Sequence, residues 1–189
     1  MPDFDEMIIE LSIDPAKTAC FTGHRPEKLP FDTSVRLFRD TLTNVLYLHA
    51  AKAAEAGYDT FLCGMQRGID VFAGLAVLKL KNAYPQIRLI CISPYRSESV
   101  RRRGKDKVDY LALTGGCDGF IALQEDYSQG CFLRRNRFMV DHSSLVIGAV
   151  ADRKSGTGQT LTYAAKKGIR IDEINLETFL EDYGLCDNS

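Results

Sequence analysis

The sequence predicts an α/β domain: a doubly wound, mostly parallel sheet covered on both faces by helices, a Rossmann-like three-layer sandwich. Three observations predict it. Short apolar runs alternate with longer segments of helical period along most of the chain. The run at Ile87–Ile92 is almost continuously apolar, as a strand covered on both faces must be. Between consecutive runs lies enough chain for the crossovers that parallel strands require.

The elements follow in order. Thr18–Thr22 is the first strand and ends at Gly23. A loop with Pro26 and Pro30 leads to a helix over Thr33–Ala56, with Val35, Phe38, Leu42, Val45 and Leu46 at helical spacing and Gly57 as its stop. Tyr58–Cys63 is the second strand. Gly64–Gly68 turns the chain into a helix over Ile69–Ala83, closed by Pro85. After the third strand, Ser93-Pro94-Tyr95 turns into a polar helix over Ser97–Leu113. Gly119–Leu123 is the fourth strand, Leu133–His142 a helix and Leu145–Val150 the fifth strand. Ser155–Gly158 opens a helix over Gln159–Lys167, which Gly168 ends. Ile169–Ile174 is a sixth strand, and a short helix near Leu176–Asp182 completes the pattern.

This regular pattern spans residues 17–189 as one domain. Residues 1–16 read as an N-terminal arm, with Asp3, Asp5, Glu6, Glu10 and Asp14 around a short apolar patch at Met7–Ile13. A formal net charge of −1 gives no global reason to expect a nucleic acid or an anionic membrane as partner. The longest apolar stretches fall well short of the roughly 20 residues that span a bilayer. The six cysteines include no C-x-x-C pair, and Cys20, Cys63 and Cys91 sit inside strands as small hydrophobes. With no secretory signal, the expectation is a reduced, cytoplasmic protein. The three histidines are scattered, so no metal site is expected.

Sheets of this kind place ligands beyond the carboxyl ends of their strands. The segments to inspect therefore follow Thr22, Cys63, Ile92, Leu123 and Val150. The first reads Thr22-Gly23-His24-Arg25-Pro26. Gly23 admits close backbone approach, and His24 and Arg25 supply donors for phosphate or carboxylate; a proline-bounded loop with solvated side chains explains the same residues. The second reads Gly64-Met65-Gln66-Arg67-Gly68-Ile69-Asp70, two glycines bracketing a turn into a helix. Backbone amides there suit an anion, and Asp70 serves either the helix dipole or a ribose hydroxyl. It is neither G-x-G-x-x-G nor a P-loop.

The third is Ser155-Gly156-Thr157-Gly158-Gln159-Thr160. An N-cap explains one hydroxyl, whereas small residues with three hydroxyls at a helix N-terminus suit a phosphate. The fourth is Arg134-Arg135-Asn136-Arg137, with Asp141 and His142 following. Arg137 and Asp141 share a helix face as a salt bridge would, and Asn136 and Arg137 also lie where the crevice is expected. Arg101, Arg102 and Arg103 read as a solvated basic face rather than a site, although their helix follows Ser93-Pro94-Tyr95, from where it could bend over the ligand.

With these blocks assembled, the chain resembles the YpsA-like family of the SLOG superfamily. The resemblance rests on Cys-Phe-Thr-Gly-His-Arg-Pro at 20–26, Gly-Met-Gln-Arg-Gly-Ile-Asp-Val-Phe-Ala at 64–73, Arg-Asn-Arg-Phe-Met-Val-Asp at 135–141 and Ser-Gly-Thr at 155–157. It implies a Rossmann-like fold and a nucleotide or nucleotide-derived ligand such as ADP-ribose, NAD or a nucleoside monophosphate. It also brings two contrasting relatives. Lonely Guy phosphoribohydrolases use a glutamate on the helix after their glycine-rich loop, but here Gln159–Lys167 holds no carboxylate. N-glycosidic hydrolysis normally needs one, leaving only Asp70 and Asp141 as candidate acid/base groups. DNA-processing protein A relatives bind single-stranded DNA, which calls for basic grooves and stacking aromatics. A chain of net charge −1 without tryptophan offers little of either.

The expectation is therefore a binding or sensor module whose crevice is lined by Thr22, Gly23, His24, Arg25, Gly64, Arg67, Gly68, Asp70, Asn136, Arg137, Ser155, Gly156, Thr157 and Thr160. A nucleotide-processing hydrolase is the competing expectation. Its partner is a small molecule, and apolar helix faces point to a homodimer.

Overall fold

A computed structural model describes residues 11–185, apart from the side chains of Ser99 and Arg101. Six strands, β1 (Thr18–Gly23), β2 (Thr60–Cys63), β3 (Arg88–Ser93), β4 (Gly119–Ala122), β5 (Leu145–Val150) and β6 (Arg170–Asn175), form one parallel sheet in the order β4-β3-β2-β1-β5-β6. The helices are α1 (Arg36–Glu55), α2 (Ile69–Leu80), α3 (Gly104–Gly116), α4 (Cys131–Asp141), α5 (Gly156–Lys166) and the short α6 (Phe179–Asp182). The fold is thus the Rossmann-like α/β sandwich that the sequence predicts.

Two separate cores explain the continuous apolar strands. Phe21, Phe61, Leu89, Cys91 and Ile147 face one side, where they meet Leu42 and Leu46 of α1, Val77 of α2, Leu113 of α3 and Phe179 of α6. Cys20, Leu62, Ile90 and Val146 face the other side, against Met139 and Val140 of α4 and Leu161 and Ala164 of α5. Successive side chains of one strand therefore enter different cores, and neither face can be polar. Described cysteines are free thiols, and Cys20, Cys63 and Cys91 are buried in strands as expected; Cys186 lies outside the described residues. Among the described residues, no helix is long and apolar enough to cross a membrane.

Chain order positions the site. From β1 the chain builds outward through β2, β3 and β4, then returns to add β5 on the other side of β1. The loops after β1 and β5 consequently diverge from adjacent strands and leave a crevice, the topological switch point.

Two expectations about residues 97–113 are corrected. The single helix over Ser97–Leu113 is split into a 3-10 segment, Arg96–Arg101, and α3, which starts at Gly104 with φ +53°. The break lets Arg102 turn inward. It is 8% exposed, pairing with Glu98 rather than joining a solvated basic face. Of the N-terminal arm, residues 1–10 lie outside the described residues. Ile13 is buried, and Arg88 Nη1 and Nη2 donate to the Leu11 and Ser12 carbonyls at 2.6 and 2.9 Å, so this end of the arm docks on the sheet.

Candidate functional site

The switch-point crevice is a cleft of about 260 Å³. Thr22, Gly23, His24, Arg25, Asp70, Asn136, Ser155, Gly156 and Thr157, all predicted from the sequence, line it together.

His24 joins the two diverging loops. Its Nε2 accepts from the backbone amides of Ala151 and Asp152 at 2.9 and 3.2 Å, satisfying the chain just after β5. With Nε2 accepting, the ring proton sits on Nδ1, which faces Thr157 Oγ1 at 3.5 Å. Burial pushes the His24 pKa below the usual histidine range. Its role is therefore that of a neutral, buried bracket.

Ser155 caps α5: its Oγ accepts from the Gly158 amide at 3.2 Å and donates to the Asp152 carbonyl at 2.5 Å. Asn136 Nδ2 donates to Thr160 Oγ1 at 3.0 Å, which donates to the Gly156 carbonyl at 2.9 Å. Two of the three hydroxyls expected to receive phosphate are thus spent on building the helix start. The amides of Gly156 and Thr157 lie in the first turn, where no intrahelical acceptor exists, and both residues line the cleft.

The second glycine turn is used differently. Nine of the twelve α2 residues are buried, Asp70 among them, so its carboxylate needs partners. It lies 3.3 Å from Arg135 Nη1 and accepts from the Gln66 amide at 3.3 Å. Burial pushes its pKa up, while Arg135 and the Gln66 amide oppose that. Arg135 also donates to the Gly64 carbonyl. The Ile69 amide at the start of α2 is taken by the His24 carbonyl at 3.2 Å.

Gly64 lies beneath the Arg135 guanidinium, and Gly68, with φ +92°, packs on the His24–Pro26 backbone. Arg67 is directed to neighbouring depressions, within 3.5 Å of both Glu27 and Asp106. Arg137 and Thr160 line a separate groove between α4 and α5, which Asn136 shares. Asp141 is in neither; it accepts from Tyr163 Oη at 2.9 Å and pairs with Lys167 at 2.8 Å.

Five contributors escape a reading of the sequence. Arg135 carried no signal setting it apart from its arginine neighbours, since burial alone distinguishes it. Phe132, which lies under the Arg25 guanidinium at 5.2 Å from its ring centroid, Glu27, Lys28 and Gln66 also line the cleft. Lys28 was legible in principle, being one 3-10 turn beyond Arg25.

Fold and cleft together define a doubly wound α/β protein with a polar crevice at its switch point. The chain belongs to the YpsA SLOG family, whose sequence profile matches residues 19–179. Among its relatives, the uncharacterized SPbeta prophage-derived protein YoqJ of Bacillus subtilis is 27% identical over 118 residues, covering 56% of this chain and 69% of YoqJ. A UPF0398 protein of Staphylococcus epidermidis is 25% identical over 139 residues, covering 69% and 71%. Another from Staphylococcus haemolyticus is 22% identical over 174 residues, covering 88% and 87%.

Two solved structures share the fold. DNA processing protein A of Helicobacter pylori, which binds single-stranded DNA, superposes with a TM-score of 0.57 at 22% identity over 94% of this chain and 77% of that one. The Streptococcus pneumoniae protein gives 0.59 at 16% identity over 92% and 58%.

Proposed function

We propose that the protein binds a phosphate-bearing, nucleotide-like molecule in the switch-point cleft and acts as a binding or sensor module. The observation that carries this reading is the start of α5. Gly156 and Thr157 present amides with no intrahelical partner to the same cleft that Arg25 and Lys28 line. Helix amides and the positive end of the dipole stabilise an anion there, and the two cations add charge-assisted bonds.

Asp70 is a structural partner of Arg135 in this reading, with its carboxylate neutralised inside the protein. Asp141 lies outside the cleft and α5 contains no carboxylate; the other carboxylate on the cleft wall, Glu27, is half exposed and lies 3.5 Å from Arg67, so this reading favours binding over N-glycosidic hydrolysis.

A thermal-shift screen of the purified chain against AMP, ADP, NAD and ADP-ribose tests the proposal, with chromatography of the mixtures to detect base release. Ligand at about 100 times its Kd adds about 2.7 kcal/mol, a rise of roughly 5–10 °C for a domain of this size. Binding without turnover is expected. No shift with any nucleotide, together with salt-sensitive retention on a single-stranded oligonucleotide, would refute it in favour of DNA binding.

A further inference from the structure

A second cavity, of about 300 Å³, opens beside the switch-point cleft, and the two share Gln66 as a lining residue. Its inner wall is the Glu98–Arg102 pair, whose side chains are only 8% and 7% exposed. Arg102 Nη2 donates to Glu98 Oε1 at 2.9 Å and to the Met65 carbonyl at 2.6 Å, and the guanidinium covers the Tyr110 ring at 4.6 Å from its centroid. Glu98 is well supplied with donors: Gln66 Nε2 donates to Oε1 at 2.5 Å and Ser93 Oγ to Oε2 at 3.1 Å. Arg102 is not so well supplied with acceptors. Its Nε and Nη1 are buried and find no partner among the described residues. Buried donors are rarely left unmet, and each one left so is destabilising.

We propose that this cavity is the base subsite of the molecule whose phosphates occupy the switch-point cleft, and that Arg102 selects an oxo-bearing base. The inference rests on the phosphate-binding reading above. The unmet groups are donors, so the complementary ligand group is an acceptor. Glu98 already balances the arginine charge, so a neutral carbonyl meets the demand and a second anion is not required.

Spacing supports a single molecule reaching both places. Arg102 follows β3 and Gly156 follows β5, three strand positions apart in the sheet. Three inter-strand steps make roughly 14 Å, a reach that suits an extended nucleoside diphosphate and not an inorganic phosphate. A 6-amino purine would turn donors toward donors, whereas a 6-oxo purine turns an acceptor toward them.

The test is calorimetric titration of the full chain with inosine diphosphate, adenosine diphosphate and pyrophosphate. Inosine diphosphate is expected to bind about tenfold more tightly than adenosine diphosphate, the effect of one well-made hydrogen bond. Arg102→Lys, which keeps a cation opposite Glu98, should remove that preference and leave pyrophosphate affinity unchanged. The wild-type comparison stands by itself if the variant does not fold. Equal affinities for the two diphosphates, inosine diphosphate binding no better than pyrophosphate, or a preference that survives Arg102→Lys would each overturn the proposal and leave a cavity that holds only water. Failure of pyrophosphate and both nucleotides to bind would overturn the phosphate reading, and this inference with it.

Discussion

Asp70 Oδ2 and Arg135 Nη1 meet 3.3 Å apart at the carboxyl end of β2, with the arginine side chain 3% and the aspartate side chain 7% exposed. The pair joins opposite layers of the sandwich, since Asp70 starts α2 on one face of the sheet and Arg135 belongs to α4 on the other. Removing one member of a buried ion pair strands its partner, at a cost of roughly 3–5 kcal/mol. Asp70→Asn is accordingly expected to lower stability by about 3 kcal/mol. Joint replacement of Asp70 and Arg135 by apolar residues should cost less than the sum of the single losses. Urea melts of Asp70→Asn, of the two single apolar replacements and of the double replacement check this. Additive losses would show that the two side chains do not depend on each other.

Gly64 is the floor of that pair. A Cβ there would run into the Arg135 guanidinium and come within 2.5 Å of Asp70 Oδ2. Gly64→Ala should therefore destabilise by about as much as breaking the pair, roughly 3 kcal/mol. Gly156→Ala is the control, because a Cβ at that position meets nothing within 4 Å. Comparable melting curves for the two alanine variants would contradict the assignment.

His24 gives the fold a pH signature. Burial holds its pKa below the ordinary histidine value of 6.5. The unfolded chain therefore binds the proton more readily than the folded one. The stabilising contribution is complete above about pH 6.5 and is lost as pH falls through the depressed folded-state value. Protonation would also take Nε2 away from the Ala151 and Asp152 amides. The wild-type Tm should fall more steeply than that of His24→Gln between pH 7 and pH 5. Parallel slopes would remove His24 from the acid response.

Ser155 caps α5 through the Gly158 amide. Ser155→Ala should cost about 1 kcal/mol, or roughly 2–4 °C in Tm, and should also weaken anion binding by loosening the turn that presents Gly156 and Thr157. A stability loss with unchanged affinity would separate the cap from the site.

Much of the architecture was legible because each apolar run serves two cores at once. The segment Leu145–Val150 has the same bounds as predicted and observed strand. The convergence of Gly23–Arg25 with Ser155–Thr157 was legible for a related reason: both follow strands, and parallel sheets gather those ends on one edge. The use of each residue was harder to read. Arg102 and Arg135 each sit in a run of basic residues, and nothing local distinguishes the member that turns inward to a carboxylate distant in sequence or a helical turn away. Ser155 and Thr160 resemble ligand groups in sequence, but the structure spends their hydroxyls on backbone carbonyls. Period and turn chemistry predict where the chain goes, whereas burial decides what a polar side chain is for.

Gly156→Pro tests the central claim most directly. Proline suits the first position of a helix, and Ser155 already has the extended backbone that a following proline demands, with φ −74° and ψ 174°. The substitution removes one amide hydrogen from the cleft while preserving the helix. Calorimetric titration of both proteins with ADP should give saturable binding to the wild type and an affinity lower by about tenfold or more in the variant. Equal affinities, or a wild type that ADP does not saturate, would contradict the account.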